Sequence, residues 1–164
     1  MTEIELKFLV APQTLCTVRD QLRARGAIDA DAAPRGLRSV YFDTPDLALH
    51  AVGLSLRLRR DGARWIQTVK TRGSLHGGLS QAGEYECDAP EGRLQIDLIA
   101  DHGQRARIEK IVGAAALGPV CETVIARLSA VIALAGGGSA EVSIDDGEIR
   151  AGDLAAPIHE VRLN

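Results

Sequence analysis

Glu3, Glu5 and Lys7 follow one another at two-residue spacing near the start of this 164-residue chain. In an extended segment, side chains at i, i+2 and i+4 share one face. Two carboxylates and an amine would then stand side by side. The spacing recurs in Arg57 and Arg59, in Glu84 and Glu86 followed by Asp88, in Glu141, Ser143 and Asp145, and in Glu160 and Arg162. Lys70 falls on the face of Thr68 and Ile66. The opposite faces are apolar: Ile4, Leu6 and Phe8; Leu54, Leu56 and Leu58; Val142 and Ile144; Val161 and Leu163. Clustered carboxylates suit hard cations such as Mg²⁺ or Mn²⁺, which take oxygen ligands. Arginines and lysines suit phosphate oxygens. A metal–polyphosphate complex would satisfy both sets at once.

Charge on strands ordinarily meets water, and a sheet with one solvated face accounts for any single segment. The elements around these strands argue for another placement. Pro12 can open a helix at its first turn, Leu15, Val18 and Leu22 repeat at helical spacing, and Gly26 can close it in a left-handed cap. A second, mainly helical stretch runs over Ile96 to Ala116, with Ile108, Ile111 and Val112 on one side. Two amphipathic helices need an apolar sheet surface to cover. If they cover the outside of a barrel, the charged faces must turn inward. Such a lumen holds side chains or one small ligand, and its charges need partners.

Further strands are expected over Arg38 to Phe42, Gly53 to Arg60, Arg64 to Thr71, Gly83 to Asp88, Thr123 to Leu128, Ala130 to Ala135, Ala140 to Ile144 and Ile158 to Leu163. Asp61-Gly62 marks a tight hairpin, Asp43-Thr44-Pro45 a turn, and the glycine-rich Arg72 to Gln81 a loop. The reading is an α+β fold, an antiparallel barrel of about eight strands with flanking helices.

Composition narrows the function. Aromatics make up 3 % of the chain, too few for base-stacking platforms, and the formal charge of −3 offers no basic field for nucleic acid or anionic membrane. No apolar run is long enough to span a bilayer as a helix. The acidic start lacks the basic and apolar regions of a signal peptide, which points to the cytoplasm. Cys16, Cys87 and Cys121 show neither metal spacing nor a disulfide framework and read as buried free thiols. The four histidines also lack ligand spacing.

Glu3-Ile4-Glu5-Leu6-Lys7 resembles the ExExK signature of the CYTH superfamily, the triphosphate tunnel metalloenzymes. Other segments follow in family order. Tyr41-Phe42-Asp43-Thr44-Pro45 is similar to the end of the family's second strand, Leu56-Arg57-Leu58-Arg59 to its LRxR strand, and Thr68-Val69-Lys70 to its lysine strand. Gly77-Gly78-Leu79-Ser80-Gln81 with Glu84-Tyr85-Glu86 resembles the bacterial inorganic triphosphatase branch. Ile144-Asp145-Asp146-Gly147-Glu148-Ile149 and Pro157-Ile158-His159-Glu160 complete a likeness that covers essentially the whole chain.

The resemblance implies an eight-stranded antiparallel tunnel and a divalent-metal-dependent triphosphatase acting on tripolyphosphate or a related small molecule. It implies Glu3, Glu5, Asp145 and Glu160 as metal ligands for Mg²⁺ or Mn²⁺. Lys7, Arg57, Arg59, Lys70 and Arg127 would grip phosphates, with Glu5, Lys7 and Lys70 nearest the chemistry. Glu84, Glu86 and Glu141 would line the tunnel. Two positions depart from the family pattern: Arg162 stands where a second carboxylate is usual, and Ser129 where a basic residue often follows Arg127. On this reading the chain is a single domain over residues 1–164 without a closing helix after its last strand, and Arg162 would impair activity by repelling a cation. Two other functions fit the same residues: a class IV adenylate cyclase, and a non-catalytic polyphosphate- or nucleotide-binding module.

Overall fold

The computed structural model describes residues 2–76 and 79–164, and side-chain surroundings for 5–72 and 83–164. The eight strands are β1 (Thr2–Leu9), β2 (Arg35–Asp43), β3 (Leu54–Asp61), β4 (Arg64–His76), β5 (Leu79–Asp88), β6 (Gly118–Ala133), β7 (Ser139–Ala151) and β8 (Leu154–Leu163). All pair antiparallel and close in the order β1-β5-β4-β3-β2-β6-β7-β8. Closure comes from β1 pairing with β5 on one side and β8 on the other, where Lys7 faces Arg162. Among the described residues each strand has a hydrogen-bonded neighbour on both sides.

The helices sit outside, and the apolar faces of the strands are what they cover. Helix α1 (Pro12–Ala24) has Pro12 in its first turn and closes on Gly26 at φ +66°. There Ala27 N–H donates to Leu22 and Gly26 N–H to Arg23, the paired bonds of a Schellman cap. Its Leu15 and Leu22 pack with Ile28 on Leu128, Ala130, Val142, Ile144 and Val161. A second core lies under α2 (Ala48–Ala51) and α3 (His102–Val112), where Leu49 and Ile108 join Leu54, Leu56, Val69 and Ile99. The outward side chains of β3 and of β6 to β8 are thus the cores, and their charged alternates point into the barrel.

Several boundaries differ from the sequence reading. The stretch 72–81, read as a loop, is largely hairpin: Ser74, Leu75 and His76 pair with Gln81, Ser80 and Leu79, while Gly77 and Gly78 lie outside the described residues. Ladder bonds with a partner strand outweigh the low strand propensity of glycine. The two expected strands at 123–135 are one long β6. The expected helix 96–116 splits into a 3₁₀ turn, Ile96–Leu98, and α3. Asp101 makes the break, accepting from Gln104 N–H at 2.8 Å as an N-cap. Cys16 is exposed, contrary to expectation, because it lies on the solvent side of α1, while Cys87 and Cys121 are half-buried with their thiols pushed up by burial. No helix of the described residues is long and apolar enough to cross a membrane.

The Asp43-Thr44-Pro45 turn has a structural explanation. Asp43 is buried, and its carboxylate accepts from the backbone N–H groups of Thr44, Leu49 and His50 at 2.8–2.9 Å. It ties the end of β2 to α2, which carries Leu49 into the second core.

Candidate active site

Strand register sets the charged side chains in rows across the lumen. Tyr41, Arg57, Thr68 and Glu86 stand opposite one another along β2, β3, β4 and β5. Ser55, Lys70 and Glu84 form the next row on β3, β4 and β5. On the other wall Arg127, Asp145 and Glu160 align across β6, β7 and β8. Between these walls lies a cavity of about 600 Å³, whose charged lining is Glu5, Lys7, Arg57, Arg59, Lys70, Glu160 and Arg162. Tyr41, Ile125, Ile149, Pro157 and Ile158 give the same cavity an apolar side.

One wall of the cavity is basic, with Arg57, Arg59 and Lys70 on β3 and β4. Arg57, only 7 % exposed, reaches Glu84 and Glu86 at long 3.4 Å contacts and Thr68 Oγ1 at 2.9 Å. Its Nε is buried without a hydrogen-bond partner among the described residues. Arg59 donates to Ser39 Oγ at 3.1 Å. Burial, with Arg57 and Arg127 close by, lowers Arg59 to about 10. Lys70 pairs with Glu84 at 3.1 Å. Guanidinium donors turned into a cavity are the groups that suit anionic oxygens.

The opposite wall is saturated with internal ion pairs. Asp145, wholly buried, takes two 2.7 Å bonds from Arg127 Nε and NH2. Arg162 stands among three carboxylates, with Nε 3.1 Å from Asp145 Oδ2, NH1 3.2 Å from Glu5 Oε2 and NH2 2.6 Å from Glu160 Oε2. Burial pulls Arg162 downward, but Glu5, Asp145 and Glu160 outweigh it and hold the group above its ordinary range. Lys7 adds a contact to Glu160 Oε1 at 3.6 Å.

These contacts involve three of the four residues expected as metal ligands, Glu5, Asp145 and Glu160. Among the described residues no group of three or more carboxylate, histidine or cysteine side chains is disposed to hold a metal ion. Glu5, Asp145 and Glu160 do converge, but on a guanidinium rather than on a vacant centre. As they stand, they do not fit a resident divalent ion. Glu3 belongs to β1, and its side chain lies outside the described residues. Arg127, expected at the phosphates, spends two of its nitrogens on Asp145. Glu141 is exposed and does not line the main cavity; it accepts from Ser143 Oγ at 3.1 Å near the end of the barrel. The sequence reading missed Tyr41 and the apolar lining of β6 to β8. The available signal was a shared face: Ile125 stands two residues before Arg127 and Ile158 two before Glu160.

Comparison with known proteins bears on the family and the fold. The CYTH domain profile matches residues 1–161. The inorganic triphosphatase of Haemophilus influenzae is 26 % identical over 163 residues, covering 99 % of this chain and 45 % of that protein. The chain thus spans a little under half the length of that relative. A proposed adenylate cyclase of Bacillus halodurans superposes with a TM-score of 0.63 at 19 % identity, covering 99 % of this chain and 80 % of that one. A proposed adenylyl cyclase of Hippeastrum, described as having a dominant triphosphatase activity, superposes with a TM-score of 0.59 at 22 % identity, covering 99 % and 79 %. These two structures share the fold.

Proposed function

This chain belongs to the CYTH domain family, and from that premise we propose that its lumen binds a triphosphate in the cytoplasm and hydrolyses a phosphoanhydride bond, with tripolyphosphate as the simplest substrate. The carrying observation is the basic wall, where Arg57 holds a buried Nε with no hydrogen-bond partner among the described residues, beside an Arg59 lowered by burial. Phosphoanhydride cleavage depends on positioning and on neutralising charge over the transferred group. Arg57, Arg59, Lys70 and Lys7 supply that neutralisation from three strands of the cavity wall. Water attacks the terminal phosphorus, the bridging P–O bond breaks, and diphosphate and phosphate leave. Glu5 lines the cavity beside Lys7 and is the candidate acceptor of the water proton. Arg127 acts from behind by holding Asp145.

The Mg²⁺ or Mn²⁺ implied by the family resemblance enters this reading with the substrate, as its counter-ion, since the carboxylates do not fit a resident one. The domain assignment, a single unit over residues 1–164, belongs to the same proposal. The test is phosphate release from tripolyphosphate by the purified chain, with and without Mg²⁺ or Mn²⁺. Turnover that disappears in Arg57→Ala supports the reading, and absence of both turnover and triphosphate binding removes it.

A second substrate has one observation in its favour. The apolar side of the cavity, Tyr41, Ile125, Ile149, Pro157 and Ile158, offers a surface for the organic part of a nucleoside triphosphate. Assaying ATP for cyclic-nucleotide formation and for phosphate release separates cyclase from hydrolase. Tight triphosphate binding without either product identifies a binding module.

A further inference from the structure

We propose that Arg162 is the resident cation of this lumen, taking the place of a carboxylate-held divalent ion, so that the protein binds triphosphate without first loading a metal.

The geometry is that of a centre with three ligands. The guanidinium of Arg162 meets carboxylates from three strands: it donates to Glu160 Oε2 on its own β8 from Nε and NH2, donates to Glu5 on β1 from NH1, and lies within ion-pair distance of Asp145 on β7. A planar guanidinium carries its donors in a fixed fork and stays charged, so it satisfies several carboxylates at once without a loading step. Burial strengthens the lock. Asp145 is fully buried, and Glu160, Glu5 and Arg162 are 10 %, 16 % and 19 % exposed. A divalent ion entering between the same oxygens would meet a positive charge about 3 Å away, on the scale of a hydrogen bond, and would have to displace all three contacts. Lys7 at Glu160 Oε1 and Arg127 at Asp145 add two further cations on the same carboxylates. The charge of Glu5, Asp145 and Glu160 is therefore already answered among the described residues. What remains for a ligand is the basic wall, which asks for anionic oxygens. The last step, that the ligand is a triphosphate, rests on the function proposed above; the absence of a resident metal does not.

Two measurements decide it, both on the full chain. The first is titration of Mn²⁺, followed by the loss of its free-ion electron paramagnetic resonance signal, with no triphosphate present. Wild type is expected to show no saturable uptake. Arg162→Glu, and more weakly Arg162→Gln, should gain uptake roughly tenfold tighter than any residual wild-type binding, and Glu160→Gln in the Arg162→Glu background should remove it. Saturable wild-type uptake that Glu160→Gln abolishes overturns the proposal. Should Arg162→Glu fail to fold by circular dichroism, the wild-type and Arg162→Gln titrations decide alone.

The second measurement is calorimetric binding of tripolyphosphate in excess chelator. Wild type should bind with an affinity within a few-fold of that in Mg²⁺, whereas Arg162→Glu should bind only when Mg²⁺ is supplied. Wild-type binding that vanishes with chelator overturns the proposal. No wild-type binding under either condition sinks the triphosphate reading itself, and the Mn²⁺ titration then still decides the role of Arg162.

Discussion

Arg127 grips Asp145 through two parallel hydrogen bonds of 2.7 Å, and the carboxylate so held has no exposure to water. Removing one partner of such a pair leaves a buried charge and costs about 3–5 kcal/mol. Arg162 also touches Asp145, so the lower end applies. Arg127→Ala should lower the melting temperature by roughly 6–12 °C at the usual conversion for a domain of this size. Arg127→Met with Asp145→Leu should recover part of that loss. Thermal unfolding by circular dichroism measures both.

Arg57 should matter to turnover more than to folding. Its substitution by alanine should reduce kcat/KM by roughly 10²–10³, or 2.7–4 kcal/mol, by analogy with the loss of one preorganised charge-stabilising donor. Lysine should restore little, because a single ammonium cannot reproduce the planar fork. Steady-state phosphate release from tripolyphosphate checks this. A tenfold effect or less would assign the neutralisation elsewhere on the wall.

Arg59 gives a dependence on pH whose sign follows from its cause. Its pKa is lowered in the folded chain to about 10, below the ordinary guanidinium range, so the unfolded state binds more proton between the folded value and that range. Stability should therefore rise as pH climbs above about 10, once other titrations in that range are subtracted by comparison with Arg59→Met. At neutral pH the buried charge is a net cost, and Arg59→Met should raise the melting temperature of the ligand-free protein by a few degrees. The same substitution should abolish most of the stabilisation that tripolyphosphate confers. A variant less stable than wild type would show that the Ser39 hydrogen bond outweighs the burial.

Asp43→Ala should destabilise the protein without touching the cavity chemistry. Three backbone N–H groups, those of Thr44, Leu49 and His50, lose their acceptor, at a cost of about 2–4 kcal/mol for buried donors. The affinity of the remaining folded protein for tripolyphosphate should stay within a few-fold of wild type. Chemical denaturation and calorimetry together distinguish this from a site residue.

Gly147→Ala should fail for a steric reason. A Cβ there would stand 2.1 Å from the carbonyl oxygen of Val124 on the neighbouring strand, so β6 and β7 would have to part near Asp145. Expression yield and melting temperature report it, and a variant as stable as wild type would show that the two strands can shift.

The inward turn of the charges was readable in the chain because it depends on periodicity alone. Leu54, Leu56 and Leu58 cannot share a face with Arg57 and Arg59, and two apolar-striped helices needed somewhere to pack. Cross-strand register was not readable. That Arg127 faces Asp145, and Asp145 faces Glu160, depends on how far β6, β7 and β8 slide past one another. A spacing of two within a strand says nothing of that slide. Arg162 could therefore be read only as a repulsive intruder at a carboxylate position. The contacts from three strands give it an attractive role. The stretch 72–81 misled because its glycines speak locally, whereas the ladder to the facing strand acts at longer range.

Because both oily cores lie between helices and the outer skin of the barrel, cohesion and chemistry occupy opposite surfaces of one sheet. A side chain exchanged on the inner surface leaves the packing under α1 and α3 intact. Such a scaffold can change its ligand by rewriting one column of alternate residues, and a guanidinium in a cage of acids is one product of that freedom.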